Sequence, residues 1–410
     1  MKILYISRNF YPEGFGGGEI SALHIAKAVT ERENEVVVCC LSKKIDNPKL
    51  EKIENIKVYR FPWRKLKFSK KLSNLEYAYW QIYKAAKEVI KKEKPDIIHF
   101  LNFQAIFPLA LFFKKYPKFA TINGPLFCEF GGSHPDGNSC YNCKPKERLT
   151  ISLKKWGLKG ILYWTYNRYS QPLLKLSLKK CTKLFPVSNA IQTMLISGGI
   201  KKEKTTVIYN PIKPNNKIKT NLKEKLNISE KTNVILYAGR LSKDKGIHNT
   251  IKAIRDIDNI RLIIVGEKRN YYENLKKLVE DLNLKEKVTF IGFIENSKIN
   301  EYFSIADLVV HPCFFYEPLS RMLLEAASYG LPLIASNAGG NPEIIENRKN
   351  GFIINNQTEL KEKIVELIEN KSLKEKMGQN SKRIIEEKFE NKKIGNLLTE
   401  EYKRYLNKRS

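Results

Sequence analysis

No run of about eighteen apolar residues occurs in the chain, so no membrane-spanning helix is expected. Nor is a secretory leader expected from the first residues. MKILYISRNF is a short strand-like run with neither a long apolar region nor a small-residue cleavage site, which points to cytoplasmic residence. Acidic residues are in short supply, 43 Asp and Glu against 73 Lys and Arg, and the formal net charge is +30. Such a balance suits nucleic acid or an anionic membrane surface. Basic runs interleaved with stacking aromatics, which a single-strand binder needs, are absent. Lys far outnumbers Arg and is common even in plain surface segments such as 361–376. Nucleic acid is therefore set aside in favour of a membrane surface or a general compositional bias.

The seven cysteines are an odd number, and without a leader they are expected as reduced thiols. Cys39, Cys40 and Cys313 lie in apolar strand contexts and read as core. Cys128, Cys140 and Cys143 share one stretch with His134, CEFGGSHPDGNSCYNC. Three thiols and an imidazole are a feasible structural zinc set, but no second C-x2-C pair completes it. A loop with three free thiols is the preferred reading. Cys181 is a poor fourth ligand, because it precedes a strand and would lie at the opposite end of a parallel sheet.

What is present is an alternation of apolar runs and helix-period segments over 410 residues, enough for two α/β domains, with a 42% hydrophobic share to build their cores. ILYIS, EVVVCCLS, IKVYRFP, DIIHFL and FATING read as buried parallel strands of the first half. After ILYIS, Gly14, Gly16, Gly17 and Gly18 form a loop, and Glu19 opens an amphipathic helix. Bare backbone ahead of a helix lets a phosphate come close. A dinucleotide-binding reading wants an acid closing the second strand, and EVVVCCLS ends without one. A Walker loop is excluded because no Gly-Lys-Ser/Thr follows. Trp63 to Lys71 and Leu153 to Lys180 mix lysines with aromatic and aliphatic residues. Each suits an interfacial patch, though an ordinary helix packing on its own domain is preferred.

Residues 213–232, rich in Lys and Asn, read as a linker. The domains are expected at 1–213 and 214–388, with a helix at 389–405 returning to the first. VILYAGRLSKDKG opens the second half, where Arg240 and Lys245 flank a glycine turn and can neutralise a diphosphate. Asp256-Ile257-Asp258 precedes a strand instead of ending one and reads as a loop, with no metal assigned. The most informative stretch is HPCFFYEPLSRMLLEAASYGLPLIASNAGGN. Its segment from Leu319 to Tyr329 has helical periodicity and is stopped by Gly330 and Pro332. Glu317 at the mouth and Glu325 two turns deeper are expected near one helix face. A phosphate at the mouth, a sugar on one acid and a ribose on the other describe a sugar nucleotide.

EPLSRMLLEAASYGLPLIASNAGGNPEII resembles the Glu-x7-Glu signature of retaining glycosyltransferases of family 4 (glycosyl transferases group 1). The resemblance runs almost the whole chain. It implies the GT-B fold, two Rossmann-like doubly wound domains facing a central cleft, with the acceptor bound by the first and the donor by the second. It places Glu317 on the donor sugar, Glu325 on the ribose, and Arg240 and Lys245 on the diphosphate after Gly239. It also implies that the backbone at Leu319 and Ser320 holds that diphosphate, with Gly17 and Gly18 across the cleft from it. The family usually has Gly where this chain has Ser320, and His where it has Asn123, the donor-sugar position. Asn cannot act as a base near neutral pH.

The implied reaction passes a sugar from a UDP- or GDP-linked donor to an acceptor hydroxyl on a glycan or lipid-linked molecule, with no metal or other cofactor required. Location would be cytoplasmic or peripheral at the inner face of the cell membrane. The alternatives are a sugar-nucleotide hydrolase or epimerase on the same fold, and a catalytically weak sugar-nucleotide-binding protein in which Asn123 marks lost chemistry.

Overall fold

The computed structural model describes residues 1–13, 16–64, 71–102, 106, 109–126, 145–268, 271–295 and 297–407. Cys128, His134, Cys140 and Cys143 lie outside the described residues, as does most of the Trp63–Lys71 patch. The chain divides into two compact units, Met1–Pro211 with Asn391–Ser410, and Ile212–Glu390.

The first unit is built on a seven-stranded sheet of order β3-β4-β2-β1-β5-β6-β7. Its strands are β1 Lys2–Ile6, β2 Glu35–Ser42, β3 Lys49–Ile53, β4 Ile56–Pro62, β5 Ile97–Phe100, β6 Lys118–Ile122 and β7 Lys183–Pro186. All neighbours pair in parallel except β3 with β4. Helices on both faces explain why β1 and β2 are apolar along nearly their whole length. Edge strand β3, KLEKI, is mostly exposed and has no apolar run to announce it. Helix α1 spans Gly17–Thr30, so it begins two residues before the expected Glu19.

The helix Asn391–Leu406 belongs to this unit. Gly395 lets it approach α1: a Cβ there would stand 2.2 Å from the Ala28 carbonyl oxygen. Tyr402 reaches the sheet, its hydroxyl 2.5 Å from Nδ1 of His99 and 3.2 Å from the Tyr5 hydroxyl. His99 Nε2 lies 2.8 Å from Thr121 Oγ1. Burial pushes the His99 imidazole down to about 3, so it stays neutral. It is therefore a satisfied core histidine.

The second unit carries a fully parallel six-stranded sheet of order β10-β9-β8-β11-β12-β13. The strands are β8 Asn233–Ala238, β9 Ile260–Val265, β10 Val288–Gly292, β11 Leu308–His311, β12 Leu333–Ser336 and β13 Gly351–Ile354. The order reverses between β8 and β11, and the loops leaving those two strands open at that switch point. The stretch expected as a linker packs on this unit instead. Lys217 Nζ donates to the Ala306 carbonyl at 3.0 Å, and Thr220 bonds Glu301 at 2.8 Å. Asp256 pairs with Arg255 at 2.8 Å and with Lys361 at 3.2 Å, while Asp258 faces Lys287 at 3.6 Å.

Candidate functional site

The residues after β8 and β11 meet at the switch point. Strand β8 ends at Ala238, Gly239 follows, and the chain turns through a short 3-10 segment, Lys243–Lys245, into the helix Ile247–Ala253. The Gly239 carbonyl is packed so closely that a Cβ on Gly266 would stand 2.1 Å from its oxygen. Gly246 closes the turn with φ +70°, and a Cβ there would stand 1.9 Å from the Pro312 oxygen. That contact seats the Lys245 turn directly on the loop leaving β11.

Glu317 lies in this second loop, ahead of the helix Arg321–Ser328. The helix is shorter than expected: Leu319 precedes it, and Ser320 is its N-cap. The two acids therefore do not share a helix face. Glu317 is fixed by its own backbone contacts, and only Glu325 projects from the helix. Gly340 N donates to the Glu317 carbonyl at 2.7 Å, and a Cβ on Gly339, where φ is +56°, would stand 1.9 Å from that same oxygen. Two glycines at the end of β12 thus hold the acid's main chain.

The Glu317 side chain is only 12% exposed and its partners are polar. Lys245 Nζ, on a side chain 18% exposed, makes a short ion pair with Oε2. His311 Nε2, at the end of β11, lies 3.3 Å from the same oxygen. Burial alone would raise the Glu317 carboxyl, but the Lys245 ammonium and His311 outweigh it and hold the group well below the usual carboxylate range. Burial likewise would lower Lys245, and Glu317 keeps it raised. Burial pushes His311 down, so the imidazole is neutral and donates from Nε2. Both partners use Oε2, which leaves Oε1 without a partner among the described residues. An acceptor oxygen anchored from behind is suited to a sugar hydroxyl.

His311 gives no strong sequence signal beyond a His-Pro pair at a strand end six residues ahead of the acid. Cys313, read as plain core, is buried but lies beside the site, with its thiol 3.3 Å from the Asp244 carbonyl. His311, Cys313 and Glu317 place one ligand atom each within 4.8 Å of one another. The set suits a metal poorly. Lys245 already sits on the carboxylate, and burial pushes the Cys313 thiol up to about 11, away from the thiolate a metal takes.

Ser320 Oγ accepts from Leu323 N at 3.4 Å, so the cap takes up one of the first-turn amides. Glu325 accepts from Arg321 Nε at 2.9 Å, one turn earlier, which accounts for the Arg321 side chain as a partner of the second acid. Arg240 is 64% exposed and 3.6 Å from Asp244, a loose pair that a stronger anion can displace.

In the first unit, Asn123 Nδ2 donates to the Leu101 carbonyl at 3.1 Å, while its Oδ1 is buried without a hydrogen-bond partner. Gly17 and Gly18 form the start of α1. A Cβ on Gly18 would meet nothing within 4 Å, so no packing inside the unit demands glycine there.

The doubly wound architecture of the two units is that of GT-B glycosyltransferases. Sucrose-phosphate synthase from Thermosynechococcus elongatus superposes over 100% of both chains with TM-score 0.80 at 19% identity. HepE of Anabaena, solved in complex with UDP, gives TM-score 0.73 at 22% identity over 98% of this chain and all of that one. Two family models match in tandem, Glycosyltransferase Family 4 over residues 15–216 and Glycosyl transferases group 1 over residues 218–384. The chain belongs to this family of glycosyltransferases.

Among relatives, spore coat protein SA of Bacillus subtilis is 34% identical over 183 residues, 42% of this chain and 48% of that one. The chain's match thus spans about half of that relative's length. An uncharacterised glycosyltransferase of Methanocaldococcus jannaschii is 26% identical over 86% of this chain and 84% of its own.

Proposed function

We propose that the protein is a retaining, metal-independent glycosyltransferase that moves a sugar from a UDP- or GDP-linked donor to an acceptor hydroxyl in glycan or glycolipid synthesis. The observation that carries this reading is the Lys245–Glu317–His311 cluster at the switch point of the second unit, with Glu325 on the adjoining capped helix. HepE binds UDP, which favours a uridine donor. In the reaction, the bond between the anomeric carbon and the diphosphate oxygen breaks, and its electron pair leaves with the diphosphate. The acceptor oxygen bonds to that carbon from the same face, and its proton passes to the departing phosphate oxygen. Arg240 and Lys245 neutralise the charge that develops on the leaving group, and Glu317 Oε1 orients the sugar.

We further propose that the acceptor is reached at an anionic membrane surface. Leu158 (84% exposed), Leu162 (63%), Tyr169 (70%), Leu173 and Leu176 recur at spacings that fall on one side of the helix Lys159–Lys179 and the turn before it. Exposed Lys159, Arg168 and Lys179 accompany them, complementary to acidic headgroups. No described helix is long and apolar enough to cross a membrane.

One assay tests both statements. Purified protein is mixed with UDP- and GDP-sugars and with acceptors carried in vesicles of phosphatidylglycerol or of phosphatidylcholine. The expected result is release of nucleotide diphosphate only when acceptor is present, faster on the anionic vesicles, with the protein sedimenting with those alone. Acceptor-independent conversion would instead support a hydrolase or epimerase, and intact donor despite binding a catalytically weak binding protein. Equal behaviour on both vesicles would remove the membrane reading.

A further inference from the structure

The first unit has its own switch point, between β1 and β5, and unpartnered polar atoms gather at the strand ends around it. Ser7 follows β1 and accepts from Asn102 Nδ2 at 2.8 Å, next to the end of β5. Arg8 comes next. Its carbonyl is fixed by Leu41 N at 3.0 Å, so its side chain leaves from the sheet edge and not from a free loop. The guanidinium carbon stands 5.2 Å from the ring centre of Trp63, and Lys43 Nζ stands 4.5 Å from the same ring. Trp63 is itself anchored, its amide donating to the Ser42 carbonyl at 2.6 Å.

What this group lacks is an anion. Arg8 Nε is buried with no hydrogen-bond partner, and among the described residues Arg8 makes no ion pair. Trp63 Nε1 is also buried and unpartnered. Two carboxylates follow Arg8 closely in the chain, and neither pairs with it. Glu13 accepts from the Ser42 hydroxyl at 2.5 Å and from the Lys43 amide at 3.2 Å. Glu19 folds back over Gly16, its Oε2 2.6 Å from where a Cβ would stand. Burial presses the Arg8 guanidinium down, and the charge interactions with Tyr79 and Glu19 offset this only in part. A buried donor left unmatched at a ligand-binding edge is a costly arrangement unless something binds it.

We propose that Arg8, Trp63 and Lys43 form a subsite for an acidic sugar, one that carries a carboxylate or a phosphate. The guanidinium supplies a forked donor set matched to either anion. The Trp63 ring supplies a flat face for the sugar and Nε1–H a further donor. Lys43 adds charge at the exposed rim. That the bound sugar is the acceptor rests on the transferase reading above; that an acidic sugar binds here does not.

The test is a ligand-observed NMR titration of the full chain with glucuronate, glucose 6-phosphate and glucose, in parallel with UDP and GDP. The acidic sugars are expected to bind, and glucose about tenfold more weakly or not at all. Whichever acid binds tighter distinguishes carboxylate from phosphate. Arg8→Gln is expected to lose about tenfold in acid-sugar affinity and Lys43→Gln about twofold, both with unchanged nucleotide affinity. If Arg8→Gln fails to fold, Lys43→Gln and Trp63→Leu decide, since either must weaken the acidic sugar. Equal binding of glucose, or unaltered binding by the variants, overturns the subsite. So does a loss of nucleotide affinity in Arg8→Gln, which makes Arg8 a donor contact. Acid-sugar binding with no nucleotide binding keeps the subsite and removes the transferase reading instead.

Discussion

Replacing Glu317 with Gln is expected to lower kcat by about a hundredfold to a thousandfold, the usual effect of losing one pre-organised electrostatic group. The shape is conserved and the amide oxygen still accepts from Lys245, so the loop should stay in place. What disappears is the negative charge that Lys245 and His311 hold on Oε2 and the directed acceptor at Oε1. Affinity for the nucleotide diphosphate should change little or improve, because Lys245 gives up an ion-pair partner and becomes freer to meet phosphate. Initial rates of nucleotide release, set beside calorimetric binding of the nucleotide, check both halves. Unchanged kcat would remove Glu317 from the donor site.

Gly339→Ala should have the largest effect on stability. The new Cβ would stand 1.9 Å from the Glu317 oxygen, 2.7 Å from its carbonyl carbon and 2.8 Å from its nitrogen. These are backbone atoms, which cannot rotate away. The residue must also keep φ at +56°, a left-handed conformation that a side chain opposes. Strain and overpacking together cost about 3 kcal/mol or more. If the chain relieves this by moving the Glu317 loop, activity falls as well. Gly18→Ala is the matched comparison, because a Cβ there meets nothing within 4 Å. Urea melts of the two variants should differ plainly, the first shifted to lower denaturant and the second close to the native chain. Similar melts would contradict the packing account of Gly339.

The sheets were legible because parallel strands covered on both faces must be apolar almost without interruption, and ILYIS, EVVVCCLS and RLIIVGE declare themselves that way. Strand β3 does not, since an exposed edge tolerates Lys and Glu at nearly every position. The helix after Glu317 was legible from its periodicity, but its start was not. Ser320 caps the helix, and the cap moves Glu317 into the loop, where glycine contacts and not helix geometry place it. Lys245 and Glu317 could each be picked from local pattern and family resemblance. Their ion pair spans 72 residues and depends on the sheet order at the switch point, which local sequence does not encode. His311 and Cys313 escaped for the same reason, their importance coming from what the fold puts beside them.

The central claim is that the second unit holds a nucleotide diphosphate against Lys245 and the neighbouring loop. Isothermal titration of the full chain with UDP and with GDP tests it most directly, repeated on Lys245→Met. The account predicts saturable one-to-one binding of one of the two nucleotides, weakened about tenfold or more in the variant. No binding of either, or binding that Lys245→Met leaves intact, would contradict it.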